Sequence, residues 1–303
     1  MCAVAALVVG DTALFTRLIP ARQASTSVRD NDMGLPDVLG LLPAAGRGER
    51  LATLPCSKEL APVGFDADGD LIRPRVVCQS LLEGFQQAGV SDVFVVLGHG
   101  KWDIPACLGS GRQLDLNIAY CVIRDSPGTP HSLDQAYAFV RERRIAFGFP
   151  DIIFEPADAF TQLLAKQSEC GADVVLGVFP AEQPETADMV DMTPDGRVNL
   201  IAVKSPATAL RYAWAVAVWA PSFTEFMHEF LAASEDTSRR GGELFVGNVL
   251  QAAIDAGMSV MAVPFPEGRF IDVGTPENLR KAVRMYTPSA PATAPLRPGK
   301  LPR

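Results

Sequence analysis

Two glycines and two fixed cations lie close together near the start of the chain: Gly46, Gly48, Arg50 and Lys58. Glycines one residue apart let a loop take up φ > 0 and close its backbone N–H groups around an anion. A guanidinium and an ammonium just beyond could then neutralise phosphate oxygens. The stretch Pro43-Ala44-Ala45-Gly46-Arg47-Gly48-Glu49-Arg50-Leu51 follows the apolar run Val38–Leu42, and Ser57-Lys58-Glu59-Leu60-Ala61-Pro62 comes soon after. That order suits a strand ending in a phosphate cradle. An ordinary glycine-containing turn between strand and helix has the same local signature, and on these residues alone the two readings stand side by side.

Better-known phosphate loops do not fit. No Gly-x-x-x-x-Gly-Lys-Ser/Thr string occurs, and Leu51 stands where a dinucleotide fingerprint needs its third glycine. The next strand ends in Leu97-Gly98-His99, without the acid that would hold a ribose diol. His99, His131 and His228 are scattered, with neither metal-ligand spacing nor a Ser-His-Asp order. His131 fits a nucleotide contact or a structural helix start, and His228 a packing or surface role. Trp102, Trp214 and Trp219 are expected in the core, with Trp214 alone able to line a pocket.

The formal charge of −8 over 303 residues argues against a broad nucleic-acid or anionic-membrane surface. An anionic small substrate remains compatible, because a few local cations and a divalent metal can reverse the field in one pocket. The six cysteines are dispersed, with no Cys-x-x-Cys pair, which implies reduced thiols and a cytoplasmic protein. The apolar stretch at Cys2 to Val9 is too short to span a bilayer. Residues 1–34 are expected to be a poorly ordered extension, with Met33 a possible alternative start. The folded domain is expected over 35–286, and the proline-rich 287–303 as a disordered tail.

The elements that must position these residues follow from periodicity. Short unbroken apolar runs at Val38–Leu42, Asp92–Gly98, Ile118–Ile123, Ile145–Phe149 and Asp173–Phe179 read as buried strands. Between them, Arg75–Ala88, Ser132–Arg143 and Pro156–Gln167 have helical spacing, and Gly64–Gly69 reads as a turn-rich connection. The alternation predicts a doubly wound α/β fold with a mostly parallel sheet. After Phe179 the pattern becomes mixed. A hairpin is predicted over Met189–Met192 and Arg197–Val203, a strand over Tyr212–Trp219, and a helix over Ser222–Ala233. A basic flexible loop follows at Ser238–Gly242, then a helix over Glu243–Ala256 and a strand over Ser259–Pro264. A last helix is capped by Thr275.

Taken together, these segments resemble the sugar-1-phosphate nucleotidyltransferases, the nucleotide-sugar pyrophosphorylases, most nearly the hexose-1-phosphate thymidylyl- and uridylyltransferases. The glycine loop with Ser57-Lys58-Glu59-Leu60-Ala61-Pro62-Val63 looks like the family's signature, and Ile271-Asp272-Val273-Gly274-Thr275 like its Trp-x-Asp-x-Gly-Thr ending. Between them, Gly128-Thr129-Pro130-His131-Ser132-Leu133 is similar to Gly-Thr-Ala-x-Ala-Leu, Phe149-Pro150-Asp151 to Leu-Gly-Asp, and Val203-Lys204-Ser205-Pro206 to the Glu-Lys-Pro region. The likeness runs from about Val38 to Tyr286. It implies a Rossmann-like fold with an inserted mixed sugar-binding region.

The resemblance also implies a reaction. A sugar phosphate oxygen attacks the α-phosphorus of a nucleoside triphosphate and pyrophosphate leaves, a step limited by positioning and charge neutralisation. By the same resemblance Arg50 and Lys58 are the catalytic cations on the triphosphate. Ala44, Ala45, Gly46, Gly48, Gly128 and Thr129 bind the nucleotide, Lys204 holds the acceptor phosphate, and Asp151 and Asp272 hold Mg²⁺. The alternative for the two aspartates is a capping or turn role, and for the cations a solvated surface position. The expected partners are a nucleoside triphosphate, a phosphorylated small-molecule acceptor and a possible second copy of the chain, with no nucleic acid and no membrane.

The departures fall on the acceptor side. Val203 replaces the glutamate that in the family receives sugar hydroxyls, Trp214 and Ala215 add bulk near a family glycine, and Phe149-Pro150 replaces Leu-Gly. Ile123 or Arg124 stands where a base-reading glutamine is common. A pocket that loses a carboxylate and gains apolar bulk suits a polyhydroxy ring less well. Three readings follow: a nucleotide-sugar enzyme, an enzyme such as a cytidylyltransferase that uses a non-sugar phosphate, and a non-catalytic nucleotide-binding relative.

Overall fold

A computed structural model describes residues 38–68, 71–124, 126–205, 208–238 and 243–286. The expected extension and tail, and all of the basic loop after Ser238, lie outside the described residues. Every described residue belongs to one compact unit, 36–303. In chain order its strands and helices begin with β1 (Val38–Ala44), β2 (Pro62–Asp68), β3 (Leu71–Val76), α1 (Gln79–Gln87), β4 (Asp92–Gly98) and α2 (Asp103–Leu108). Next come β5 (Asn117–Ile123), α3 (Thr129–Asp134), α4 (Tyr137–Val140), β6 (Arg144–Gly148), β7 (Ile152–Glu155), α5 (Ala159–Cys170) and β8 (Val174–Pro180). The last group is β9 (Asp188–Met192), β10 (Val198–Val203), β11 (Tyr212–Trp219), α6 (Pro221–Ser238), α7 (Val246–Asp255), β12 (Val260–Pro264), β13 (Arg269–Asp272) and α8 (Pro276–Tyr286).

The main sheet runs β12-β8-β11-β6-β1-β4-β5, and all of these strands are parallel except β11, which is antiparallel to both neighbours. Apolar side chains on both faces explain the unbroken runs: β6 and the first six residues of β8 are wholly buried. One core cluster packs Phe147, Trp219 and Phe223, and another packs Phe85, Phe154 and Phe160. The β9–β10 hairpin joins the free end of β11, where Tyr212 and Ala213 pair with Val190 and Met189. It is the inserted mixed region.

Three expectations need correction. Over residues 64–68 the expected turn-rich connection, and at 75–76 the start of the expected 75–88 helix, form strands of the β2–β3 hairpin, and the helix begins only at Gln79. The hairpin is held by α8: the Tyr286 ring lies 4.7 Å from the Arg75 guanidinium, and Tyr286 packs against Gly64. The 132–143 helix is two short pieces, because Gln135, Ala136 and Phe139 donate to carbonyls three residues back, which tightens the turn. The segment beginning at Pro156 is preceded by an unexpected strand, β7, paired antiparallel with β13.

Candidate active site

A cleft of about 430 Å³ opens at the edge where β1, β6 and β8 end and β11 begins. This is where an open α/β sheet usually receives its ligand. Arg50, Lys58, Gly128, Thr129, Asp151, Lys204 and Asp272 all line it, as do Ala45 and Gly46. Residues separated by more than 200 positions thus share one cavity. Ala44 instead ends β1 inside the core, 1% exposed, and Gly48 shapes the loop from behind. At φ 63 it adopts the left-handed conformation that glycine tolerates without strain, facing the Lys58 stem.

The carboxylates meet through the small β7–β13 ladder and not through the main sheet. Asp272 is paired with Ile152, and the Val273 N–H donates to the Asp151 carbonyl at 2.8 Å. Asn278, in the first turn of α8, donates to the Asp272 carbonyl at 2.7 Å, and Thr275 caps that helix as expected. The Lys58 ammonium binds Asp151 Oδ2 at 2.5 Å. Lys58 is itself fixed from below, because Asp103 accepts from the Ser57 N–H at 2.6 Å and from its hydroxyl at 2.8 Å. Buried Glu59 pairs with Lys101 at 2.7 Å.

The electrostatics match a polyanion site. Burial alone would lower the Lys58 pKa, but Asp151, Glu59 and Asp272 together raise it, so the amine stays charged. Burial and the Asp151 charge push the Asp272 carboxyl up, while Lys58, Arg50 and Lys204 draw it down. Two carboxylates held this close suit a hard divalent cation that takes one or two protein oxygens and completes its shell from phosphate and water. No third acid, histidine or cysteine joins them in a metal-binding group among the described residues. An ion here would therefore depend on the ligand's own oxygens.

Further along the cleft, Lys204 sits just past β10 at φ 42, with its ammonium 3.3 Å from the centre of the Phe245 ring. Phe149 and Trp214 pack with ring centres 5.7 Å apart at a 46° tilt and close that side. Trp214 thus lines the pocket and Trp219 is core, but Trp102 is 52% exposed, its edge against His99. Neither Ile123 nor Arg124 lines the cleft; Ser126 and Ser132 do. His228 bridges helices, bonding Asp134 at 2.8 Å and stacking on Tyr137. Glu59, inside the signature stretch but given no role from it, also lines the cleft, as do Asp188, Glu243 and Phe245, which no motif marks in the sequence.

Fold and cleft together define an α/β protein whose open sheet edge gathers cations and carboxylates in one cavity. The chain matches the nucleotidyl transferase family over residues 39–289 and belongs to it. It is 25% identical over 248 residues to the low-salt glycan biosynthesis nucleotidyltransferase Agl11 of Haloferax volcanii, covering 80% of this chain and 64% of that protein. It is also 25% identical over 252 residues to a glucose-1-phosphate thymidylyltransferase of Streptomyces griseus, covering 81% and 65%. The match thus spans just under two thirds of each relative. Among solved structures, a candidate glucose-1-phosphate thymidylyltransferase of Bacillus anthracis, in complex with sucrose, superposes with a TM-score of 0.70. It has 19% identity, with 82% of this chain and 94% of that one covered. Among the described residues, no helix is long and apolar enough to cross a membrane.

Proposed function

We propose that the chain transfers a nucleotidyl group from a nucleoside triphosphate to a phosphorylated acceptor, with a sugar 1-phosphate as the favoured acceptor class. An acceptor phosphate oxygen bonds to the α-phosphorus, the bond from that phosphorus to the bridging oxygen of the β-phosphate breaks, and pyrophosphate leaves. The observation that carries this reading is the convergence of Arg50, Lys58, Asp151 and Asp272 at one end of a cleft that holds Lys204 further along. Arg50 holds triphosphate oxygens and follows the charge that develops on the leaving group. Lys58, kept charged by its acidic neighbours, supports the α-phosphate. Lys204 anchors the acceptor phosphate so that its oxygen stands in line. Asp151 and Asp272 would hold Mg²⁺, which when bound supplies further neutralisation of the phosphate oxygens. Family membership and relatives named for thymidylyl and glycan-related nucleotidyl transfer support the same class. A cytoplasmic site, with its pool of nucleoside triphosphates, accords with Cys56, Cys78, Cys107, Cys121 and Cys170 being free thiols.

The test is pyrophosphate release across four nucleoside triphosphates and a panel of sugar and non-sugar phosphates, with Mg²⁺ and with chelator. Release that needs a sugar 1-phosphate and Mg²⁺ is expected. No release with any pair, together with no triphosphate binding, would overturn the proposal.

A further inference from the structure

The acceptor end of the cleft contains a carboxylate in an unexpected place. Asp188 opens β9 and Val203 closes β10, and the two are directly opposed across the antiparallel pair. Opposed residues have Cβ atoms about 5 Å apart, so Asp188 delivers a carboxylate beside the position where the sequence has valine. Asp188 lines the cleft with Lys204, Trp214, Phe245 and Val246. Its Oδ2 rests on the first turn of α7 at Gly247, where an added Cβ would collide with it. A side chain there would displace the carboxylate.

The other carboxylate oxygen is unsatisfied. Asp188 Oδ1 is buried without a hydrogen-bond partner among the described residues, and so is the indole N–H of Trp214. The indole and the Lys204 backbone N–H both face the carboxylate closely enough to favour its charged form, but Oδ1 and the indole nitrogen each fall short of a hydrogen bond. A buried acceptor and a buried donor left open side by side are costly unless something else completes both. The completing group must donate to the carboxylate and accept from the indole. A hydroxyl does both, an ammonium can only donate, an ionised phosphate can only accept, and a methyl group does neither.

We propose that Asp188 and Trp214 jointly read one hydroxyl of the acceptor whose phosphate Lys204 anchors, which makes the acceptor a sugar or other polyol phosphate. Asp188 is then a specificity-determining residue of the acceptor subsite. The assignment rests on the nucleotidyl-transfer reading above and narrows its acceptor class. The aromatic bulk of Phe149 and Trp214 leaves room for the ring's apolar face, while the hydroxyl is met at its edge.

The experiment compares wild type, Asp188→Ala and the double variant Asp188→Ala/Val203→Glu, using acceptor-dependent pyrophosphate release and calorimetric binding of the triphosphate alone. Asp188→Ala should raise the KM for a hydroxylated acceptor about 10–100-fold, the range for losing a hydrogen bond to a charged group. Triphosphate affinity should stay within twofold. Val203→Glu in the Asp188→Ala background restores a carboxylate from the opposed strand and should recover at least tenfold of the loss. Discrimination against monodeoxy analogues should fall in Asp188→Ala at one ring position only. An acceptor KM unchanged in Asp188→Ala, with wild-type release intact, would overturn this inference and leave nucleotidyl transfer standing. Wild-type release with phosphorylated amines but not polyols would also overturn it alone. Absence of both triphosphate binding and release in the wild type would overturn both proposals.

Discussion

Gly274→Ala isolates the geometry of the proposed triphosphate grip. A Cβ built on Gly274 would lie 2.8 Å from the Arg50 Nη2 and 2.9 Å from Asp272 Oδ1, and its backbone is not in the left-handed region. The substitution is thus tolerable to the chain but not to the two side chains. Restoring an ordinary 3.4 Å contact moves the guanidinium about 0.6 Å away from the new methyl group. Arg50 ends in a flexible, exposed side chain, so the move should cost the fold under about 1 kcal/mol. In the reaction, a misplacement near 1 Å can cost about 10²-fold, and loss of a charge that stabilises the transition state costs about 10²–10³-fold. We expect Gly274→Ala to lower kcat about tenfold to a hundredfold and Arg50→Ala to lower it about 10²–10³-fold. The double variant should be less than tenfold worse than Arg50→Ala alone, because the larger part of the Gly274→Ala effect acts through the guanidinium and only the remainder through Asp272. Steady-state pyrophosphate release, with melting curves for each variant, measures this. Gly274→Ala activity within twofold of wild type, or a double variant tenfold worse than Arg50→Ala, would refute the reasoning. A melting temperature lowered by more than about 5 °C in Gly274→Ala would show that the backbone, and not Arg50, absorbs the change.

Three further outcomes are expected. Lys204→Ala should raise the acceptor KM tenfold or more with little change in triphosphate affinity, a split that initial-rate kinetics in both substrates resolves. Asp272→Asn should abolish most release and weaken Mg²⁺-dependent triphosphate binding, as calorimetry with and without chelator can measure. Asp188→Asn should stabilise the protein at neutral pH even as it impairs the reaction. Burial raises the Asp188 carboxyl above its ordinary 3.8, against the pull of Lys204 and Trp214, so the folded state binds more protons than the unfolded state. Stability from this residue is therefore greatest below that ordinary value and declines as pH rises through the raised folded value. Removing the charge should raise stability near pH 7 and leave it unchanged at pH 3, as denaturant melts at the two pH values would show.

The donor half of the site was legible because its residues lie in contiguous stretches with local reasons for their conformation. β4 is found over Asp92–Gly98 as its apolar run predicts, and Thr275 caps α8 as its place before Pro276 predicts. β7 was not legible: Ile152 to Glu155 is only four residues, next to Pro156, and its partner β13 lies more than a hundred positions away. That ladder, however, is what brings Asp151 and Asp272 together. The aspartates could be named from the sequence while the element that joins them could not. The β2–β3 hairpin was hidden for a similar reason, since Pro62, Gly64 and Pro74 argue against strand and the contacts with Tyr286 outweigh them.

The acceptor half differs because its chemistry depends on pairing register. Read along the chain, Val203 is a lost carboxylate and the pocket looks apolar. Read across the ladder, Asp188 stands opposite Val203, and the burial of Oδ1 beside the Trp214 indole gives the same wall a polar focus. A one-residue slip between β9 and β10 would turn Asp188 to the other face. The register is held by apolar side chains, with Met189 and Val190 of β9 and Ile201 of β10 buried, and by Gln251 of α7, which accepts from the Ile201 N–H at 2.7 Å. If Asp188 reads the acceptor as proposed, acceptor choice is tied to core packing around the hairpin. Gln251→Ala, far from any phosphate, should loosen discrimination among hydroxylated acceptors before it affects triphosphate binding.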